Sequence, residues 1–399
     1  MQLLGIRSSK RRFITSILYS LYFTCNSLTL VLGEIEGLVL LSFVLIFLIV
    51  TTMNLKHVLY MFPKYSLLMI LLLFYFGVSF LIGRESVVSH TFLSFIVFGC
   101  PLLFAPYKNI DFALVIKSIA LQGIAVLPFY LTFEYGYGDF AGDELSEGIT
   151  MTLSYRMLPF IASSIIVAIS KNLNKVLRVL VAFEAILFLA LLLLIGSRGA
   201  QLSIIVFFFL LFIINVSDYK KRNRRIRLVL LTVVILVVLF VPILYALSNL
   251  LDKYDIDVLA IARMVHKLNI GDSLDSDRGM LIHKALNEFC SSPIFGNGIS
   301  SFDNYSGYYP HNLFIQMIGE GGVIFGALFV ILMVKVIKTI FSLRPYNNIY
   351  AVFVLFVFCS GVIRLFFSSI YWESQFFWAM VSLVFASSQI RNNIVEKEL

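Results

Sequence analysis

Four arginines and one histidine are the residues of this chain best suited to chemistry. Arg156, Arg198 and Arg364 sit in, or at the ends of, long apolar runs, and Arg278 lies in the one long polar segment. A guanidinium at the centre of a bilayer costs about 2.5–3.5 kcal/mol on insertion scales and less near an interface. A charge-assisted hydrogen bond returns about 1.5–3 kcal/mol, so several such positions become tolerable when they meet an anion. The planar fork of arginine bonds two oxygens at once, which suits a phosphorylated lipid, a diphosphate above all. The simpler alternative is that each arginine snorkels to headgroups or pairs with an acid such as Glu184 or Glu373. That alternative serves well for one arginine and poorly for three at one edge of the membrane.

His311 is the candidate proton-transfer group, because an imidazole with an ordinary pKa near 6.5 accepts a proton around neutral pH. It precedes Asn312, Gln316 and Glu320, whose four-residue spacing makes one polar stripe on a helix. A capping or interfacial histidine is the plainer reading. His283 reads as a surface residue, and His57, His90 and His266 have no supporting pattern. Gly319, Gly322 and Gly326 read as close helix contacts. Asp275-Ser276-Asp277 has the form of the acidic motif that binds metal in nucleotide-sugar enzymes, but helix capping explains it better. No GxSxG, HExxH, P-loop or paired CxxC occurs, so neither a metal nor another cofactor is expected. Cys25, Cys100 and Cys359 fall in apolar runs and leave Cys290 alone, which reads as structural thiols rather than a disulfide framework.

The elements that must position these groups are membrane spans. The chain has 399 residues, of which 60% are hydrophobic and 14% charged, with a mean hydropathy of +0.93. Spans are expected near 13–33, 37–53, 65–83, 89–106, 111–133, 152–170, 176–196, 199–217, 227–248, 312–341, 350–370 and 373–390. Several exceed the roughly 18 apolar residues that a crossing needs. Continuous apolar runs without alternation make helices, since lipid offers the backbone no partner. The expected class is therefore an all-α polytopic membrane protein of about 12 transmembrane helices, one integral membrane domain over 1–399.

The net charge of +8 is distributed as topology rather than as a nucleic-acid surface. Arg7, Lys10, Arg11 and Arg12 precede the first run as in a signal anchor, and Lys220 through Arg227 form the largest basic cluster. With the N-terminus in the cytoplasm these clusters, and the two Lys/Arg residues at the C-terminus, fall on the cytoplasmic side. The same count puts Arg156 about one turn inside the outer surface, and Arg198 at the outer end of span seven. It puts Arg364 about two turns below the outer end of span eleven, with Arg278 and His311 outside. Lys117 snorkels into the cytoplasm.

Two outer segments stand out. Residues 134–150 are acidic and Gly-rich and read as an exposed loop. Residues 249–311 form the one large extramembrane loop, with an amphipathic helix at 256–267, a second beginning near Asp275, and a break over 291–298 forced by Pro293, Gly296 and Gly298. No internal repeat is visible, which weakens a transporter built from paired halves.

Gly196-Ser197-Arg198-Gly199-Ala200 resembles a motif of the O-antigen ligase and polymerase superfamily. Arg278-Gly279 through Ala285, Pro293 and Gly296-Asn297-Gly298 to His311-Asn312 resembles its large periplasmic loop, and Glu320-Gly321-Gly322 continues the pattern. The resemblance covers roughly 196–326. It implies a GT-C-like, inverting, metal-independent membrane glycosyltransferase of the bacterial inner membrane, with both termini cytoplasmic, acting on undecaprenyl-diphosphate-linked oligosaccharides as donor and acceptor. Arg198 and Arg278 would bind the diphosphate and His311 would activate the acceptor. Arg156 and Arg364 are added from topology, with Tyr155, Asn312 and Glu320 in support. Tyr308, Tyr309 and Trp372 would stack on sugar or anchor at the interface. Of the family's activities a Wzy-type polymerase is expected, with a chain-length regulator and membrane lipid as further partners and no nucleic acid. The alternatives are a ligase passing polysaccharide to a lipid A-core and, from another class, a flippase.

Overall fold

The computed structural model describes residues 10–32, 36–81, 85–137, 143–169, 174–195, 197–215, 276–302, 310–343, 348–367 and 370–398, with isolated positions between 245 and 253. The described elements are helical throughout. Helix α1 (Lys10–Leu32), α2 (Glu36–Met53) and α3 (Leu55–Leu81) lead into α4 (Glu85–Ser94), which a π-helical turn (Phe95–Gly99) carries on to Leu103. Then come α5 (Phe112–Tyr137), α6 (Asp143–Ile169), α7 (Lys175–Ile195) and α8 (Arg198–Asn215). After the gap stand α9 (Ser276–Ser291), α10 (Leu313–Leu343), α11 (Asn348–Val357) and α12 (Gln375–Glu398).

Phe112–Leu131, Thr152–Ile169, Leu313–Phe341 and Ile349–Phe366 are long and apolar enough to cross a membrane. Shorter apolar helices cover Leu41–Met53, Tyr65–Leu81, Val87–Leu103, Gly199–Leu211 and Gln375–Ser387. The expected class, an all-helical polytopic membrane protein, holds. The expected span 227–248, apart from residues 245 and 246, and the amphipathic helix 256–267 lie outside the described residues. Leu67, Leu81, Val176 and Ile186 point outward, as lipid-facing side chains do. Inside, Tyr65, Phe95, Phe160, Phe188, Tyr350, Phe353 and Trp372 fill the core. Cys25 and Cys359 are buried, Cys100 is half-buried and Cys290 is exposed, all as free thiols.

Three expectations change. The segment 134–150 is largely helical: α5 runs to Tyr137 and α6 opens at Asp143. Span eleven does not run to residue 370. It passes through a π turn (Phe358–Val362) into a 3-10 turn (Ile363–Phe366) and stops, so Arg364 sits in its last turn, not two turns below its end.

The largest change is in α10, which breaks at Gly322 (φ 60°, ψ −152°). Residues 15 apart on a straight helix stand about 22 Å apart. Yet the rings of Phe314 and Phe329 lie 5.7 Å apart, and a Cβ on Gly326 would meet Ile318 at 2.9 Å. The two halves of α10 therefore meet in a sharp V.

Candidate functional site

Within the Gly-Ser-Arg-Gly-Ala sequence, Ser197 stands between the end of α7 at Ile195 and the start of α8 at Arg198, and Gly196 lies outside the described residues. Ser197 caps α8: its carbonyl accepts the N–H groups of Ala200 (3.0 Å) and Gln201 (3.1 Å), and its Oγ accepts Ala200 N–H at 3.4 Å. Ser154 of α6 holds the turn, donating to Ser197 Oγ at 3.2 Å and accepting the Ser197 N–H at 3.3 Å. Arg198 is the first residue of α8. Next to it, Gly199 lets the Tyr155 hydroxyl and the Phe367 side chain approach bare backbone; a Cβ there would collide with the hydroxyl and stand 2.8 Å from Phe367 Cβ.

Tyr155 joins this turn to the end of span eleven. Its buried ring lies 5.7 Å from the guanidinium carbon of half-buried Arg364. A cation over a tyrosine face gains about 0.5–2 kcal/mol, more when water is excluded. One side chain of α6 thus brings together Arg364, Phe367 and the turn that opens with Arg198. Arg156, one residue on, is half-buried and turns elsewhere: its carbonyl accepts from Ser27 of α1 at 3.4 Å, and its charge reaches Tyr130 of α5. The two acids named above lie in different settings. Glu184 is buried against Gly123, and Glu373 is exposed.

The second half of the site surrounds the V of α10. Asn312 is its N-cap, the side-chain oxygen accepting the N–H groups of Phe314 (3.1 Å) and Ile315 (3.2 Å). His311 precedes it in the left-handed region at φ 50°, a conformation that costs a non-glycine residue about 1–2 kcal/mol. Capping and catalytic candidacy thus fall on neighbouring residues. Phe314 leads through Phe329 to Phe366 at 5.9 Å, so a row of three rings links the first turn of α10 to the turn holding Arg364.

Glu320 ends the polar stripe and is fully enclosed. Gln316 donates to one carboxyl oxygen at 3.0 Å, and the other accepts Tyr371 OH at 2.6 Å and Trp372 Nε1 at 2.9 Å. Trp372 is buried, so it neither offers a sugar a stacking face nor anchors at an interface. Its role is to bond Glu320, 52 residues earlier in the chain. Tyr308 and Tyr309 lie outside the described residues.

The broken segment 291–298 fills the V. Asn297 N–H bonds Gly319 O (2.8 Å), Gly298 N–H bonds Glu320 O (2.9 Å) and Val323 N–H bonds Pro293 O (2.9 Å). These bonds occupy backbone groups around the break in α10. Asn297 also donates to Glu288 O at 2.7 Å, tying in the end of α9. That helix begins at Ser276, as expected, with Arg278 in its first turn. Asp275 lies outside the described residues. Gly322 is accordingly a hinge point for a docked loop rather than a helix-to-helix contact, whereas Gly326 does meet Ile318.

No curated protein matches the chain. Residues 183–331, from within α7 through the V of α10, match the family model described as O-antigen ligase. That segment holds Arg198, Arg278, His311 and Glu320, and the match supports the O-antigen ligase and polymerase superfamily, membrane proteins whose members are glycosyltransferase-like enzymes.

Proposed function

We propose that this protein is a surface-polysaccharide polymerase, joining undecaprenyl-diphosphate-linked oligosaccharide units on the periplasmic face of the bacterial inner membrane. The observation that carries this reading is the Tyr155 junction, where Arg364 and the Ser197–Gly199 turn meet beside a helix N-terminus. Helix N-termini and guanidinium groups both favour phosphate oxygens. In this reading Arg198, Arg278 and Arg364 hold the diphosphate of the donor, with Arg156 at the margin.

His311 takes the proton from a sugar hydroxyl on the acceptor unit as its oxygen bonds the donor's anomeric carbon. The bond from that carbon to the diphosphate oxygen breaks, the configuration inverts, and the electron pair leaves with the phosphate. The leaving group is already anionic, so electrostatic stabilisation by arginine serves in place of a general acid.

A deletion strain tests the assignment. Loss of a polymerase leaves single-unit glycan on the lipopolysaccharide; loss of a ligase leaves none. The ligase is the second reading, favoured by the description of the matching family model. Purified protein in detergent separates both from a flippase, since only an enzyme joins or transfers lipid-linked glycan without membrane sidedness. Arg198→Lys is expected to lose most activity, because ammonium cannot bond two oxygens in a fork; wild-type activity would point to simple snorkelling.

A further inference from the structure

Glu184 lies in the interior of α7 among apolar neighbours and takes no part in the chemistry above. Its side chain is 2% exposed, and neither carboxyl oxygen completes a hydrogen bond among the described residues. Two other helices close over it. From α5 comes Gly123, whose missing side chain lets one carboxyl oxygen rest on the backbone; a Cβ there would also stand 3.0 Å from Glu184 Cδ and 3.1 Å from Phe160. From α6 come the Phe160 ring and the Ser164 hydroxyl, the polar group alongside. None of the three is ionisable, and no charged side chain among the described residues acts on this carboxyl.

An ionised carboxylate enclosed in this way, with no cation and no full set of donors among the described residues, is far too costly to persist. A neutral carboxylic acid is not. We propose that Glu184 is a proton-binding site inside the bundle, a neutral carboxyl wedged between α5, α6 and α7 whose ionisation requires those helices to part. Gly123 is the complementary half of the site, because any larger residue would occupy the space of the carboxyl. The site stands on the two helices that build the arginine junction. Ser164 is eight residues, about 12 Å, along α6 from Arg156, and α7 leads from Glu184 to the Ser197 turn. Proton release at Glu184 would therefore loosen the frame that holds Ser154 against Ser197.

The proposal does not depend on the glycosyltransferase reading, and its test uses no substrate. Infrared difference spectra would be recorded between full-length wild type and Glu184→Gln, purified in detergent at neutral pH. A protonated-carboxyl C=O band present in wild type and missing from the variant is expected; loss of carboxylate bands instead would overturn the site. Dicyclohexylcarbodiimide gives a second reading on wild type alone. The acid O–H adds across one C=N bond, forming an oxygen–carbon bond while the proton goes to nitrogen, which an ionised carboxylate in an apolar site does not do. Peptide mass spectrometry should find the adduct on Glu184, and an unmodified Glu184 would count against the proposal. Raising the pH should lower the melting temperature of wild type relative to Glu184→Gln; parallel curves would show that no proton is bound there.

Discussion

Gly296 and Gly322 meet backbone to backbone: a Cβ on the first would stand 2.5 Å from the Gly322 nitrogen, and a Cβ on the second 2.7 Å from the Gly296 nitrogen. Both adopt positive φ, 72° and 60°. The docked loop and the V of α10 therefore depend on one another, and with them the approach of α9 and the placement of His311.

Replacing either glycine with alanine adds left-handed strain to a backbone collision. A loss of at least about 2 kcal/mol is expected for Gly296→Ala or Gly322→Ala. It would appear as a lower melting temperature of the detergent-purified protein and as lost polymer. Gly77→Ala is the control, since nothing lies within 4 Å of that position. It should leave stability unchanged or raise it by up to about 1 kcal/mol. Equal effects at all three sites would sink the interlock.

His311 combines an unfavourable backbone with a candidate chemical role, and substitutions separate the two. His311→Gly should be more stable than His311→Ala by about 1 kcal/mol, because glycine relieves the left-handed strain. Both should lack chain extension. Full-length polymer from either variant would remove His311 from the mechanism.

Glu320 accepts hydrogen bonds from Tyr371 and Trp372, across 51 and 52 residues of chain. Removing one donor from an enclosed acceptor costs about 1–3 kcal/mol. Tyr371→Phe and Glu320→Gln should each destabilise the protein, and the double variant should lose less than the sum. Strict additivity in thermal unfolding would mean that the pair is not coupled.

Tyr155 is predicted to serve through its ring. Tyr155→Phe keeps a face for Arg364 and should retain most activity, whereas Tyr155→Leu should fall at least as far as the roughly 0.5–2 kcal/mol of the cation–ring contact, about 2- to 30-fold. Gly199→Ala should also lose activity, because the added Cβ collides with the Tyr155 hydroxyl and displaces that side chain. The check is the rate of lipid-linked glycan consumption for each variant.

The amino-acid sequence alone determined the class of the protein, because hydropathy is a local property and a long apolar run in lipid has no alternative to a helix. It also determined the start of α9 near Asp275, the break over 291–298 and the turn at Ser197, each marked by residues with strong conformational preferences. It misled at the acidic, Gly-rich stretch 134–150, which is mostly helix because α5 runs to Tyr137 and α6 opens at Asp143.

Only the tertiary structure decided which faces meet. A helical period identifies a buried stripe but not its partner, so nothing local pairs Glu320 with Trp372 or Tyr155 with Arg364. The break at Gly322 was equally hidden, since a glycine inside an apolar run serves a close contact or a bend equally well. The loop carrying Gly296, arriving from twenty-six positions earlier, is what makes it a bend.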